Sequence, residues 1–341
     1  MITKIGLDLG YANITLSDVT STIYREPSVA LVDKASRKIS AVGNAATMGE
    51  SENSAAGMLV RPFKNGLLFD KAITAGIIEN AVKAVKGSDF VRCVFGVPSD
   101  ILPKQERELH DMLSKAGVDE CLFVNRAMAA LVGAGYSPHI SAIVVDVGAG
   151  STEVMILHKG EIIYQKRTAV GGEEFDKVVK QYIVEHGDVN VSLSVSKAIK
   201  ERLGAVWQGR AEETIDIEGT LSLTGNKVKM SISTEDIVGV FEAPLHALLT
   251  AVSDGVQQIP PEYVSSIFEN GIILTGGGAE LYGLDTMMSR VLDISVVSPG
   301  SPINCVAKGL SRINNIVPMD IKANGKNITA VLAKYYENKK Q

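Results

Sequence analysis

Three cysteines in 341 residues, Cys93, Cys121 and Cys305, are too far apart and odd in number for a disulfide framework. They follow no metal-ligand spacing, and with no secretory leader at the N-terminus they read as reduced thiols of a cytosolic protein. No apolar run reaches the length of a membrane span. The histidines, His110, His139, His158, His186 and His246, are scattered and form no cluster. Two glycine-rich nucleotide signatures are also missing. There is no Walker A lysine motif and no G-x-G-x-x-G, which removes the main support for P-loop and Rossmann readings. A net charge of -5 gives no electrostatic reason to expect nucleic acid as a partner. No short repeat points to a solenoid.

What is present is a chain with 45% hydrophobic residues, enough for a sizeable core and, at this length, for roughly two domains. Residues 143–157, IVVDVGAGSTEVMIL, organise it. An apolar run ends in one acid, Asp146, a turn of small residues follows, and a second apolar run begins after Glu153. This reads as strand, tight turn, strand. Glycine lets the backbone approach a phosphate closely, and successive N–H groups make an anion-binding nest. An acid at the strand end suits Mg²⁺, which favours a few carboxylates and its own water.

The design recurs at residues 4–16, KIGLDLGYANITL, where the strand delivers Asp8 and the turn begins at Gly10. Two such hairpins suggest two related halves facing one phosphate group. A third glycine element, residues 271–283, carries an apolar strand into Thr275-Gly276-Gly277-Gly278, where a flat ring could lie against bare backbone.

Along the chain, strands alternate with helical patterns, so the class is α/β. Strands are expected at residues 90–97, 122–124 and 161–167, and helices at 70–85, 127–135 and 194–203. Ser99 is expected to cap a helix reaching to about Lys115. Residues 214–233 alternate like a three-stranded meander, IDIEG, LSLTG and KVKMSIS, and a helix is expected from Thr234 to about Ile259.

The three glycine elements, in this order, resemble the two phosphate motifs and the adenosine motif of the actin, Hsp70 and sugar-kinase superfamily. Within it, residues 2–315 are similar to the bacterial actin MreB family. The resemblance is carried by the 5–16 hairpin, Arg25-Glu26-Pro27-Ser28-Val29, Ser40-Ala41-Val42-Gly43, Arg61-Pro62-Phe63-Lys64-Asn65-Gly66, Gly96-Val97-Pro98-Ser99, Met128-Ala129-Ala130 and Pro260-Pro261-Glu262. It implies an actin-like, ribonuclease H-like fold of duplicated domains with two small subdomains around a nucleotide cleft. Residues 1–32 and 66–145 would form subdomain IA, 33–65 IB, 146–180 and 245–317 IIA, and 181–244 IIB, followed by a tail at 318–341. It also implies ATP with Mg²⁺ and head-to-tail filaments in the cytoplasm. Asp8 and Asp146 would organise the metal and its waters. Gly10, Tyr11, Ala12 and Asn13 would line one side of the phosphates, with Gly148, Ala149, Gly150 and Ser151 opposite. Gly172, Lys200 and Glu201 would approach the ribose and base, and Gly276, Gly277 and Gly278 the adenosine.

Three departures from the family pattern stand out. The family places a glutamate before the small-residue helix to orient the attacking water. Here the stretch is Asn125-Arg126-Ala127, and an arginine cannot take a proton from water. Arg126 is left either an ion pair within the protein or a clamp on the γ-phosphate, and hydrolysis is expected to be slow or altered. Tyr11 stands where the family has a small hydroxyl residue. The family's apolar membrane contact is absent from the N-terminus and from the loop at 86–90. The basic tail could dock on the protein itself, on a neighbouring subunit, on an adaptor or on anionic lipid. Two other functions remain open at this stage. A small-molecule kinase would need a further acid to deprotonate an acceptor hydroxyl, and an Hsp70-like chaperone or reactivating factor would need a peptide-binding domain.

Overall fold

Ala142–Val147 is buried at all six positions, which requires a central strand with both faces covered. The strands around it and around Ile2–Leu9 explain how. In a computed structural model, which describes residues 2–52, 57–64, 67–68, 70–87, 90–317 and Leu332, the first sheet comprises β1 (Ile2–Leu9), β2 (Asn13–Ser17), β3 (Thr22–Pro27), β4 (Phe90–Val97) and β5 (Glu120–Asn125). The second comprises β6 (Ala142–Val147), β7 (Thr152–His158), β8 (Glu161–Thr168), β9 (Ile272–Thr275) and β10 (Val296–Val297).

The strand orders are β5-β4-β1-β2-β3 and β10-β9-β6-β7-β8. In each, the central strand pairs antiparallel with its hairpin partner and parallel with the strand on its other side. The halves therefore share one topology, strand for strand. This is the duplication that the paired acid-and-glycine hairpins suggest.

Two helices lie where the halves meet, Arg126–Gly133 and Cys305–Ile316. They touch backbone to backbone. A Cβ on Gly133 would overlap the Cys305 carbonyl oxygen, and one on Gly309 would overlap the Ala129 carbonyl oxygen. Around them runs a core drawn from both sheets, including Val94 and Val124 from the first, Val144, Met155 and Ile273 from the second, and Leu310 from the later helix. Asn314 ties that helix to the first sheet, donating from Nδ2 to the carbonyls of Ile5 (2.8 Å) and Arg92 (3.0 Å). The buried Arg92 returns a bond to the Val317 carbonyl at 2.7 Å. These buried polar groups need such partners, since leaving one unmade costs about 1–3 kcal/mol.

Each half carries a small three-stranded sheet as an insertion. One joins Ala30–Asp33, Ile39–Val42 and Gly57–Val60, and the other joins Val189–Asn190, Thr214–Leu221 and Lys227–Ser233.

Several sequence expectations need correction here. The second of the expected meander strands is a turn, because the strand ends at Leu221 and Gly225 takes φ +70°. The helix expected over 234–259 breaks into Thr234–Ile237 and Glu242–Val256, with Gly239 at φ +87° between them. The expected 127–135 helix starts one residue earlier, at Arg126, with the Asn125 side chain accepting from the Met128 N–H at 3.1 Å. Ser99 caps no helix, since the helix after β4 begins at Pro103. The expected 70–85 helix is Lys71–Val85, capped by Asp70, which accepts from the Ile73 N–H at 3.0 Å.

Among the described residues no helix is long and apolar enough to cross a membrane. Cys93 and Cys305 are buried, and burial pushes the Cys305 thiol up to about 11. Residues 88 and 89 of the loop before β4, and the tail apart from Leu332, lie outside the described residues. Leu332 itself is buried in the core shared by the halves.

Candidate functional site

The two hairpin turns have the same geometry. In the first, the Gly10 N–H donates to the Asn13 carbonyl at 2.9 Å, and in the second the Gly148 N–H donates to the Ser151 carbonyl at 2.9 Å. Both turns hold four residues, 10–13 and 148–151. Asp8 is the penultimate residue of β1 and Asp146 of β6. In the first turn the narrow bend itself calls for glycine, because a Cβ at Gly10 would lie 2.9 Å from the Asn13 oxygen. The turns face each other. The Tyr11 ring lies against Gly150, where any side chain would collide with it. Burial, followed by the nearby Glu173 carboxylate, pushes the Tyr11 phenol above the usual range. Arg61 closes the outer side, donating to the Tyr11 carbonyl at 3.1 Å with its guanidinium 5.4 Å from the ring centre.

Beneath the turns lies a cleft open to solvent, with a cavity volume of about 80 Å³, lined on its apolar side by Leu9, Phe63 and Phe95 and on its polar side by Arg126, Asp146 and Glu153. Arg126 is the first residue of its helix. It forms an ion pair with Asp8 and donates to the Leu9 carbonyl at 3.4 Å. Asp146 accepts from the Thr275 hydroxyl at 3.0 Å. Burial raises the pKa of both aspartates, opposed in each case by Arg126. The guanidinium itself loses hydration, but Asp8, Asp146 and Glu153 together hold its pKa above the ordinary value. Of the alternatives for Arg126, the structure shows the ion pair. Among the described residues no group of three or more His, Cys, Asp or Glu is arranged to hold a metal. Of the cleft acids, Asp8 pairs with Arg126, Asp146 accepts from Thr275 and Glu153 accepts from Ser99.

The remaining expected residues fall at unequal distances from the turns. The Gly172–Gly187 helix points its start at the second turn, the N–H groups of Gly172 and Glu173 donating to the carbonyls of Gly148 (2.9 Å) and Ala149 (2.7 Å). Lys200 reaches the Gly172 carbonyl at 3.1 Å and pairs with Asp176 at 2.6 Å. Glu201 turns outward, with its side chain 61% exposed and Lys197 beside it. Gly276, at φ +84°, and Gly278 pack on the end of β6, where a Cβ on either would collide with Val147. Thr152 turns its hydroxyl to the Val170 carbonyl at 2.7 Å and is fully buried. It does not offer that hydroxyl to the cleft.

Comparison with known proteins adds the family. The MreB/Mbl protein family model matches residues 2–321. The chain belongs to the MreB/Mbl family. The cell shape-determining protein MreB of Escherichia coli (strain K12) is 29% identical, with 92% of this chain and 94% of that protein covered. Mbl of Bacillus cereus (strain ATCC 10987 / NRS 248) is 27% identical over 89% of this chain and 93% of its own. Among solved structures, MreB5 of Spiroplasma citri bound to AMPPNP superposes with a TM-score of 0.85 at 22% identity, covering 92% of this chain and 96% of that one. The MamK double helical filament gives 0.80 at 22% identity, covering 93% and 100%. The fold is thus the actin-like one, as the duplicated sheets indicate.

Sequence reasoning missed one cleft acid in this MreB/Mbl chain. Glu153 sits opposite Asp146 in the β6–β7 register and is 3% exposed. The Ser99 hydroxyl donates to it at 2.6 Å across the two halves. A second crossing is the pair of Asp100 with Arg167 at 2.8 Å. The signal was an acid inside a strand otherwise buried, TEVMILH.

Burial pushes the Glu153 carboxyl up to about 7 from an ordinary 4.5. The folded chain therefore keeps a proton that the unfolded chain releases, so this residue's contribution to stability is full below pH 4.5 and is lost as pH rises through 7. The loss is on the order of 3 kcal/mol. Glu153→Gln should flatten the decline between these limits in urea unfolding at several pH values. An unchanged slope would place the titration elsewhere.

Proposed function

We propose that this chain binds an adenine nucleotide, ATP or ADP, between its two hairpin turns and assembles head to tail into filaments whose stability depends on that nucleotide. The observation that carries the reading is the pair of matched turns, 10–13 and 148–151, held face to face over one cleft. One such turn is a common bend, but two presented by equivalent strands of equivalent sheets form a two-sided cradle for a chain of phosphates. Relatives with this fold support it: MreB5 of Spiroplasma citri has structures bound to AMPPNP and to ADP, and MamK forms a double helical filament.

In this reading Gly10, Tyr11, Ala12 and Asn13 line one side of the phosphates, and Gly148, Ala149, Gly150 and Ser151 the other. Gly172 and Lys200 lie toward the sugar, and Gly276, Gly277 and Gly278 carry the adenosine, with Glu201 outermost. The four-subdomain division follows, with IA and IIA built on the two large sheets and IB and IIB on the two small ones, and a cytoplasmic location goes with it. The tail would serve adaptor or surface contacts. Mg²⁺ at Asp8 and Asp146 would require Arg126 to release Asp8, so the residues as they stand do not fit a metal held between these two acids. Arg126 cannot act as a base on a γ-phosphate water, so hydrolysis should be slow.

Nucleotide acts on assembly by binding the closed cleft better than the open one, which shifts population toward the form that polymerises. Calorimetry with ATP and ADP, followed by pelleting and electron microscopy with ATP, ADP and neither, tests both halves of the reading. Nucleotide uptake with filaments in at least one state is expected. A chain that takes up neither nucleotide, or stays monomeric in all three conditions at high concentration, would count decisively against it.

A further inference from the structure

We propose that in this chain the guanidinium of Arg126, with that of Arg61 on the other side of the first turn, supplies the positive charge that a divalent cation would otherwise bring, so that nucleotide is bound without a divalent requirement. The inference rests on the nucleotide reading above and concerns how the same cleft balances its charge.

The geometry places Arg126 firmly. Asn125 ends β5 and caps the helix, so the next side chain leaves the helix start toward the ends of β1 and β6. Its aliphatic stem runs over Gly96, where a Cβ would be only 3.5 Å from Arg126 Cγ. The guanidinium then lies under the first turn, pairing with Asp8 and reaching the Leu9 carbonyl. A Cβ on Gly10 would be 4.0 Å from both Arg126 Nη2 and Asp8 Oδ2. The cation and the acid are therefore both close to the turn backbone, where a hydrated metal would have to share Asp8.

A hydrated dication and this guanidinium exclude one another for two reasons. They compete for the same carboxylate oxygens, and they repel. Arginine stays charged at every accessible pH, so it cannot step aside by losing a proton. Its planar fork of N–H groups also matches phosphate as well as carboxylate, so the group that replaces the metal can itself touch the ligand. Arg61, bonded to the Tyr11 carbonyl at 3.1 Å, adds a second guanidinium at the mouth of the same turn. Arg126 thus offsets Asp8 where a metal would otherwise do so, and Arg61 adds one further positive charge at the rim of the first turn.

The test is a titration of ATP and of ADP into the purified full chain by calorimetry, once in EDTA and once in excess magnesium. The dissociation constants are expected to agree within about threefold. Binding weakened more than about tenfold by EDTA would overturn the inference while leaving the nucleotide reading intact. No uptake of either nucleotide in either buffer would overturn both. Arg126→Glu, and Arg126→Gln as the variant closer in shape, should acquire a magnesium requirement of about tenfold or more. Variants that bind equally well with and without magnesium would also overturn it. Should neither variant fold by circular dichroism, the two wild-type titrations decide alone.

Discussion

Gly309→Val is expected to cost at least about 4 kcal/mol of stability, beyond the ~1–3 kcal/mol of ordinary overpacking. Usually an added methyl meets side chains that can change rotamer. Here it would meet backbone: the Ala129 carbonyl oxygen, with the Gly133 N–H at 2.9 Å. The reciprocal collision, of a Gly133 Cβ with the Cys305 carbonyl, shows that neither helix can yield without parting from the other. Parting them would open the core shared by both sheets, where Val124, Val144, Met128 and Leu310 meet. Each large aliphatic side chain re-exposed costs about 1.5–3 kcal/mol. Valine also stiffens poorly into a helix interior. Urea unfolding of the variant beside the parent chain provides the check. A loss under about 1 kcal/mol would mean that the two helices are not in backbone contact.

Arg126→Met comes second, with an expected loss of about 2–4 kcal/mol at pH 8, a little under the usual cost of removing one partner from a fully buried charge pair, because this pair is part-buried. Methionine keeps much of the stem that packs on Gly96 and removes only the charge. Asp8, Asp146 and Glu153 then face one another without a cation. Their carboxyls are already raised by burial, and losing Arg126 removes the main group that lowers Asp8 and Asp146. The sign follows. Folded carboxyls that titrate higher hold protons that unfolded ones give up, so the variant's stability falls as pH rises. The deficit should shrink at pH 5.5 and be largest at pH 8. Urea midpoints at both pH values measure it. An equal deficit at both would show that Arg126 contributes by packing alone.

The duplicated half-structure was legible in the sequence because each half advertises it locally. An apolar strand, an acid one residue from its end and a four-residue turn are all contained in about a dozen consecutive residues, and backbone geometry fixes what such a stretch does. The glycine triplet was legible for the same reason. The partner of Arg126 was not. Its substitution for an acid could be read from Asn125-Arg126-Ala127, but its contact, Asp8, lies 118 residues away and depends on the order of strands. Glu153 was hidden differently, since an acid in a strand ordinarily faces water and only the packing of the first half, through Ser99, shows this one enclosed. Ser99 looked like a cap because it precedes an amphipathic pattern. Pro103, suited to the first turn of a helix, was the better marker of where that helix starts. In the meander, alternation continued in letters through Ser222 and Leu223 after the strand had ended. Leu223 is 91% exposed, which a strand with one covered face would not leave so.

The backbone contact between Gly133 and Gly309 also limits how the molecule can change shape. Hinges commonly have slack, because the residues that bend are free of their neighbours. At this crossing there is none: at Gly133 and Gly309 the two backbones meet with no side chain between them, inside a close-packed interior that resists compression. The halves are therefore expected to change their angle about the crossing, like the blades of scissors about a rivet, rather than to slide apart along it. Small rotations at the rivet become large excursions at the outlying three-stranded sheets. Fluorophores on Lys38 and Leu223 should therefore report a change of angle more sensitively than probes placed beside the turns.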